Sequence, residues 1–169
     1  MVFKLKFDKS KISYWANRYS YNDDKLESET GPTVRERGYF KYAELKTLCK
    51  WKAPRSVHHC ENNKPDYVET VTRAALSSPN ERFRIQALTV LDGVNWPTAS
   101  VILHFGSNDP YPVLDFRALW SLTVPQPPQY KFPLWWDYTK FCRALADDSG
   151  VSMRTLDRAL WQYSKENQK

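Results

Sequence analysis

Apolar residues recur every three or four positions along most of this chain, which is the spacing of a buried helix face. The clearest example is the set Ile85, Leu88 and Leu91. Short links rich in proline, glycine and asparagine separate such segments, and alternating strand-like patterns are almost absent. The periodicity predicts an all-α fold with about eight helices, at 11–21, 39–51, 65–76, 79–91, 96–105, 116–122, 135–146 and 153–165.

The segment 96–105 is apolar on several sides and not along one face alone. A helix of this kind is surrounded by other elements, so we expect it to be the central helix of the fold. Residues 22–38 are polar and charged and contain a Gly-Pro pair, which predicts a surface loop or a mobile segment. At 169 residues, the whole chain (1–169) is predicted to form a single helical domain with a proper core.

The link between the fourth and fifth predicted helices is a tight turn at 92–95 (DGVN). Gly93 adopts positive φ readily, and Asn95 either tolerates the same conformation or caps the next helix. Pro97 falls in the first turn of that helix, where its missing N–H costs nothing. Further along the chain, Asp115 stands where it caps the sixth predicted helix. Two helices joined by a glycine turn, followed by a capped third helix, are therefore expected.

This stretch resembles the HhH-GPD (helix-hairpin-helix) superfamily of DNA glycosylases. In that family the hairpin follows the pattern L-P-G-h-G-x-x-T-A, where h is apolar, and a loop beyond the second helix carries h-D-x-x-h with the catalytic aspartate. Here the hairpin is 91–99 (LDGVNWPTA) and the aspartate lies in 113–119 (VLDFRAL). Both motifs occur in the family's order with a helix between them. The resemblance assigns 81–106 to the helix-hairpin-helix and 107–122 to the catalytic loop.

The resemblance implies an all-helical fold of two lobes around a cleft, with the hairpin at the mouth of the cleft. Three departures from the pattern stand at Asp92, Asn95 and Pro97. Pro97 occupies the position where bifunctional members carry their Schiff-base lysine, so the resemblance implies a monofunctional enzyme without lyase chemistry. Of the three cysteines only Cys142 lies in the C-terminal half. The four-cysteine iron–sulfur cluster of several members is therefore absent, and no cofactor is expected.

A hairpin of this type presents backbone N–H groups at a helix N-terminus, and these bind a phosphate without reading the base sequence. We predict that Gly93, Val94, Asn95 and Trp96 contact the DNA backbone and that the hydroxyl of Thr98 contacts the same phosphate. Trp96 also stands where it can stack on the duplex or wedge it. The alternative is an ordinary turn between two helices, since glycine and asparagine end helices of every kind.

Cleavage of an N-glycosidic bond develops positive charge on the sugar, as in other glycoside transition states. A carboxylate that faces the sugar stabilises this charge and orients or deprotonates a water molecule. The resemblance assigns this catalytic role to Asp115. Helix capping alone is the alternative interpretation of Asp115, and one side chain can serve both purposes.

An extruded base is held between aromatic or apolar walls. The resemblance implies a base pocket upstream of the hairpin, where Trp51 and Lys52 end a predicted helix and Tyr42 lies on the same helix. The alternative is a packed tryptophan with an extended lysine side chain. No metal is predicted at 58–60 (HHC), because adjacent residues rarely ligate one tetrahedral ion together and no paired motif accompanies them.

The chain has a formal net charge of +6 and a pI near 9.2, which favours a polyanionic partner, nucleic acid first. Three widely spaced cysteines are typical of a reducing cytoplasm and not of a disulfide framework. The first residues predict no signal peptide, and no apolar run approaches the ~20 residues of a membrane span. We expect a cytoplasmic monomer that binds double-stranded DNA in the nucleoid or the nucleus, depending on the organism.

Three functions remain open from the sequence. The leading hypothesis is a monofunctional DNA glycosylase that hydrolyses the N-glycosidic bond of a damaged or modified base, as in base-excision repair. The second is a non-enzymatic DNA-binding helix-hairpin-helix protein, and the third, more distant, is a helical protein-interaction domain. A carboxylate near a phosphate is repulsive, so a protein that only holds DNA has no need of Asp115. Its presence favours the enzyme.

Overall fold

The protein is described by a computed structural model over residues 2–21 and 25–168, and every regular element in these ranges is helical. The predicted all-α class is confirmed. The described ranges contain two 3₁₀ turns (Lys9–Lys11 and Pro54–Ser56), one π-helical turn (Leu26–Thr30) and ten α-helices: α1 (Ile12–Asn17), α2 (Gly31–Arg37), α3 (Tyr42–Lys52), α4 (Val57–Cys60), α5 (Pro65–Ser77), α6 (Glu81–Leu88), α7 (Trp96–Gly106), α8 (Phe116–Ser121), α9 (Phe132–Ser149) and α10 (Met153–Asn167).

Local capping interactions set several of these helix starts. The side chains of Asn95, Asp115 and Ser152 each accept a hydrogen bond from a backbone N–H in the first turn of the helix that follows. The predicted N-caps at Asn95 and Asp115 are confirmed. The start of α6 differs from the predicted start at residue 79, because the side chain of Asn80 caps the helix. The helix therefore begins two residues later than expected.

The prediction of a loop at 22–38 is wrong for the part that the structure describes, while residues 22–24 lie outside the described residues. The segment forms the π-helical turn and α2. The side chains of Leu26, Thr30 and Val34 are buried, and their spacing of four residues places them on one helix face. The Gly-Pro pair does not break the segment, because its proline stands in the first turn of α2, where no N–H is required.

The chain forms two compact units, unit 1 (residues 1–21 and 110–169) and unit 2 (residues 22–109). In unit 2, α7 packs against α2, α3 and α6. Seven of the eight residues from Thr98 to Phe105 are buried. This burial confirms that the segment 96–105 forms a central helix. The Arg35 side chain adds a hydrogen bond of 2.7 Å to the carbonyl of Phe105, so this arginine joins α2 to α7.

In unit 1, α10 packs against α1, α8 and α9. Trp135 of α9 is fully buried and stacks on Tyr111, with 5.8 Å between the ring centroids. α1 ends at Asn17, four residues before the predicted end, and the chain beyond it brings the ring of Tyr19 to 5.3 Å from that of Trp161 on α10. The residues predicted as the last turn of this helix therefore pack against α10 in a non-helical conformation.

Within the described residues, no helix combines the length and the apolar composition that a membrane span requires.

Candidate nucleic-acid interface

The chain passes from α6 to α7 through residues 89–95, which we call the hairpin. Gly93 has φ 76, the left-handed conformation predicted for it. A Cβ atom at this position would lie 2.7 Å from both the backbone nitrogen and the Sγ of Cys60. Glycine is therefore required here for two reasons: the backbone conformation is left-handed, and α4 lies too close to leave room for a side chain.

The side chain of Asn63 holds the other side of the hairpin. Its Oδ1 accepts a hydrogen bond from the N–H of Asp92 at 2.9 Å, and its Nδ2 donates to the carbonyl of Asp92 at 2.9 Å. A third bond of 3.0 Å runs from Nδ2 to the carbonyl of Cys60. Asn63 lies just before α5 but does not cap it, because its side chain is buried and pairs with the hairpin backbone as a peptide group would.

Beyond the glycine, Asn95 leads into α7. Its Oδ1 accepts a hydrogen bond from the N–H of Thr98 at 3.2 Å, and its side chain is exposed. Among the described residues, the N–H groups of Gly93, Asn95 and Trp96 have no hydrogen-bond acceptor. Each of these three residues is at least partly exposed. Donors of this kind at the N-terminus of an eleven-residue helix favour an anion.

Two of the predicted DNA-contacting residues are less available than expected. The Thr98 side chain is only 1 % exposed, so its hydroxyl lies in the core and not at the surface. Val94 is also buried, and its N–H donates to the carbonyl of Leu91 at 3.1 Å. The surface donors of the hairpin are therefore those of Gly93, Asn95 and Trp96.

A surface depression of about 400 Å³ lies beside the hairpin. Residues 89–95 form one side of it, and Ser56 and His59, on the turn and helix that precede Asn63, form the other. The depression is large enough for a phosphate group and its sugar. Asp92 also lines it and is exposed, and its charge opposes the binding of an anion.

Replacing Asn63 with alanine is expected to lower the free energy of unfolding by about 2 kcal/mol, because three hydrogen bonds from a buried amide are lost. Urea denaturation measures this change. The matched control is Asn62→Ala, which removes the neighbouring, exposed side chain and is expected to change the value by less than about 0.5 kcal/mol. Equal losses in the two variants would show that Asn63 does not hold the hairpin.

Asp115 lies in unit 1 at the start of α8. Its Oδ1 accepts a hydrogen bond from the N–H of Arg117 at 2.8 Å, and the side chain is half-buried. The capping interpretation of Asp115 is therefore confirmed, and the catalytic interpretation stays a prediction. Asp115 is not fully buried, because part of the residue remains exposed.

The loop that leads to Asp115 is held on both sides at Val113. The N–H of Val113 donates to Oδ1 of Asp157 at 3.1 Å, and its carbonyl accepts from the hydroxyl of Tyr138 at 2.9 Å. The carboxylate of Asp115 also acts on Tyr130. Burial, and then the negative charge of Asp115, raise the pKa of Tyr130 to about 12. Its phenol is therefore a neutral donor near Asp115 at physiological pH. The sequence carried no signal for any of these three partners.

The three predicted base-pocket residues do not lie together. Tyr42 begins α3, while Trp51 and Lys52 end it, and a rise of 1.5 Å per residue separates the two ends by about 14 Å. The Trp51 ring meets the edge of Phe105 with 5.9 Å between centroids and is half-buried. This contact is the packing expected under the alternative interpretation of Trp51. Tyr42 and Lys52 are also half-buried.

Cys49 and Cys60 are buried free thiols, and burial raises the pKa of both. Within the described residues, no group of three His, Cys, Asp or Glu side chains is arranged to hold a metal ion. The histidines at 58 and 59 are exposed, and their rings lie 4.0 Å apart.

No protein-family model matches the sequence, and comparisons with curated proteins and with solved structures find no significant similarity. A function for this chain therefore has to be proposed from its own residues and from the motif resemblance described above.

Proposed function

We propose that this protein binds double-stranded DNA through the hairpin and acts on it as a monofunctional DNA glycosylase. The observation that carries the proposal is the conformation of the hairpin. Gly93 turns the chain at φ 76 between two helices, and the N–H groups of Gly93, Asn95 and Trp96 have no acceptor within the described residues. This geometry suits a phosphodiester oxygen.

The hairpin contributes backbone N–H groups and the partial positive charge at the N-terminus of α7. Such a site grips the phosphate and is indifferent to the base attached to it. The formal net charge of +6 adds a long-range attraction that brings the duplex to the protein. The negative charge of Asp92 reduces this attraction locally, so we expect moderate affinity with a marked dependence on salt.

The second step of the proposal assigns the chemistry to Asp115. The C1′–N bond breaks and its electron pair leaves with the base, while positive charge develops on the deoxyribose. The carboxylate of Asp115 stabilises this charge and takes a proton from the water that adds to C1′. The base leaves with one proton, and an abasic sugar remains. Water serves as the nucleophile, since Pro97 stands where the lyase members of the resembled family carry a lysine.

A non-enzymatic DNA-binding protein is the second candidate, and one observation favours it. The Asp115 carboxylate already has a complete structural role, because it caps α8 through the N–H of Arg117. A carboxylate that serves only as a cap needs no substrate. The two candidates share the hairpin and differ only in whether base release occurs.

The hairpin is tested by Asn95→Asp. Aspartate keeps the N-cap, because its carboxylate accepts the hydrogen bond from Thr98 as the amide does. It also places a negative charge beside the proposed phosphate. We expect affinity for a labelled 20-base-pair duplex, measured by fluorescence anisotropy at 100 mM salt, to fall about tenfold.

The matched control is Asn80→Asp, which makes the same change at the N-cap of α6, at the end of that helix remote from the hairpin. It is expected to leave duplex affinity within about twofold. The wild-type affinity is expected to fall steeply between 50 and 300 mM salt. The slope of log affinity against log salt is expected to be about −0.9 for each phosphate contact. Equal effects of the two variants, or no binding by the wild type at low salt, would refute the hairpin site.

Base release is tested on duplexes that carry a single uracil, an oxidised purine or an alkylated purine. Alkali cleaves the strand at the abasic site that a glycosylase leaves, and denaturing gels display the product. The enzyme is expected to act on at least one of these substrates. Salt-dependent binding with no cleavage of any of them would favour the second candidate. A protein that neither binds nor cleaves DNA belongs to the third class, a helical interaction domain.

A further inference from the structure

Cys49 and Cys60 form a pair of thiols in the core of unit 2. Cys49 lies on α3 and Cys60 ends α4, and these two helices pack against each other. Each of the two residues is 1 % exposed. Their sulfur atoms are in contact, since the thiol of Cys49 donates a hydrogen bond to the Sγ of Cys60. Two thiols that already touch need little backbone movement to become a disulfide.

The hairpin lies directly on Cys60. Gly93 approaches so closely that a Cβ atom on it would be 2.7 Å from the Sγ of Cys60. Asn63 links the same region to the hairpin a second time, because its Nδ2 donates to the carbonyls of both Cys60 and Asp92. A change in the position of the Cys60 sulfur is therefore transmitted to the hairpin backbone.

The two thiols are not equivalent. Burial, and then the hydrogen bond with Cys60, raise the pKa of the Cys49 thiol. Burial also raises the pKa of Cys60, but hydrogen bonds from the Cys49 thiol and from the backbone N–H of Cys60 act in the opposite direction. Cys60 therefore ionises before Cys49 does, and its thiolate is the nucleophile of the pair. Its neighbours His59 and Gly93 line the surface depression, so a small oxidant approaches Cys60 from this side.

We propose that Cys49 and Cys60 are a site of reversible oxidation, at which hydrogen peroxide converts the two thiols into a disulfide that displaces the hairpin. The Cys60 thiolate attacks one oxygen of the peroxide, the O–O bond breaks, and hydroxide leaves and takes up the proton that the thiol released. Cys60 is then a sulfenic acid. The Cys49 sulfur attacks the Cys60 sulfur, the S–O bond breaks, and water leaves with the thiol proton of Cys49. Two thiols are oxidised to one disulfide, and the peroxide is reduced to two molecules of water.

The disulfide changes the support of the hairpin. A covalent S–S bond is much shorter than a hydrogen bond between two thiols, so its formation draws the Cys60 sulfur toward α3. Gly93 then loses the contact that it makes with this sulfur, and the carbonyl of Cys60 shifts relative to Asn63. The consequence for duplex affinity rests on the proposed function of the hairpin, whereas the disulfide itself does not.

Disulfide formation is measured by mass spectrometry on the wild-type protein. The protein is treated with about 1 mM hydrogen peroxide, then unfolded and alkylated with N-ethylmaleimide. All three cysteines are expected to be alkylated before treatment, only Cys142 after it, and all three again after dithiothreitol. Cys142 is the control within the same molecule, because it is as deeply buried as the pair and lies in unit 1 while both other cysteines lie in unit 2.

Two variants test the order of the two steps. Cys49→Ser removes the second thiol, so peroxide is expected to leave Cys60 as a sulfenic acid, which dimedone labels. Cys60→Ser removes the attacking thiolate, and residue 49 is expected to stay unlabelled. Cys142→Ser is the matched control and is expected to form the disulfide at the wild-type rate. The wild-type measurement needs no substitution and decides whether the disulfide forms even if a variant fails to fold.

Hydrogen exchange measures the displacement of the hairpin. The N–H groups of Asp92 and Val94 are hydrogen-bonded to Asn63 and Leu91, and in the oxidised protein they are expected to exchange at least about tenfold faster. Affinity for the labelled 20-base-pair duplex is expected to fall at least about fivefold on oxidation and to return with dithiothreitol. Peroxide-treated Cys60→Ser is expected to keep its duplex affinity, which excludes damage at other residues.

Three alkylated cysteines after peroxide treatment, or oxidation of Cys142 as fast as that of the pair, would overturn the proposal. A disulfide that leaves exchange at Asp92 and Val94 unchanged would overturn it as well, because the hairpin is then not displaced. Faster exchange in a protein that binds no duplex in either redox state would refute DNA binding by the hairpin and leave the thiol site standing. Faster exchange with equal duplex affinity in both states would contradict the hairpin as the duplex site.

Discussion

Replacing Asp115 with asparagine is expected to reduce base release by about 100- to 1,000-fold, the usual cost of removing one stabilising group from a transition state. Asparagine has the shape of aspartate but no charge, so it cannot balance the positive sugar or take a proton from water. Single-turnover cleavage of the preferred substrate measures the rate. Duplex affinity is expected to stay within about twofold, because the substituted group acts on the sugar and not on the phosphate.

The same variant should fold normally, which makes the experiment decisive. Asparagine is as good an N-cap as aspartate, so the hydrogen bond from the N–H of Arg117 is retained. Urea denaturation is expected to differ from the wild type by less than about 0.5 kcal/mol. Asp66→Asn, at an exposed acid in the first turn of α5, makes the same chemical change elsewhere and should leave cleavage unaffected. Full activity of Asp115→Asn would restrict Asp115 to its role as a cap.

Replacing Gly93 with alanine is expected to lower the free energy of unfolding by about 2–5 kcal/mol. The left-handed conformation costs a residue with a Cβ atom about 1–2 kcal/mol. The new methyl group would also lie 2.7 Å from the backbone nitrogen and the Sγ of Cys60, and such overpacking costs about 1–3 kcal/mol more. Relief of that clash displaces the hairpin, so duplex binding should weaken together with stability.

Gly38→Ala separates the two contributions to this loss. Gly38 also has positive φ, at 87, but an added Cβ atom there meets nothing within 4 Å. Its replacement should therefore cost only the conformational contribution, about 1–2 kcal/mol, and should leave duplex binding unchanged. If urea denaturation shows equal losses in the two variants, the contact between the hairpin and Cys60 contributes nothing.

Predictions from the sequence succeeded where the interactions are local. Residues 65–77 and 153–167 form helices close to their predicted bounds, because apolar periodicity and capping involve residues only a few positions apart. For the same reason the positive φ of Gly93 and the caps at Asn95 and Asp115 were predictable. The helical structure of the segment after residue 24 was not predictable, because only three widely spaced side chains form its buried face and the residues between them are mostly polar.

The sequence did not indicate the groups that hold the candidate sites in shape. Asn63 and Asp92 are 29 positions apart, and Asp157 and Val113 are 44 apart. A buried amide or carboxylate that pairs with a distant backbone leaves no periodic or motif-like pattern, so it cannot be distinguished from a capping or surface residue before the chain is folded.

Helical class, turn chemistry and the order of the two motifs are properties of neighbouring residues, and they follow from the amino-acid sequence without coordinates. Tertiary packing alone decided that Thr98 lies in the core and that the negative charge of Asp115 raises the pKa of Tyr130. It also decided that the guanidinium of Arg117, on α8, lies over the ring of Trp161, on α10. The physical reason is that burial and electrostatic contact depend on distances in space, and these are set by the packing of helices that are far apart along the chain.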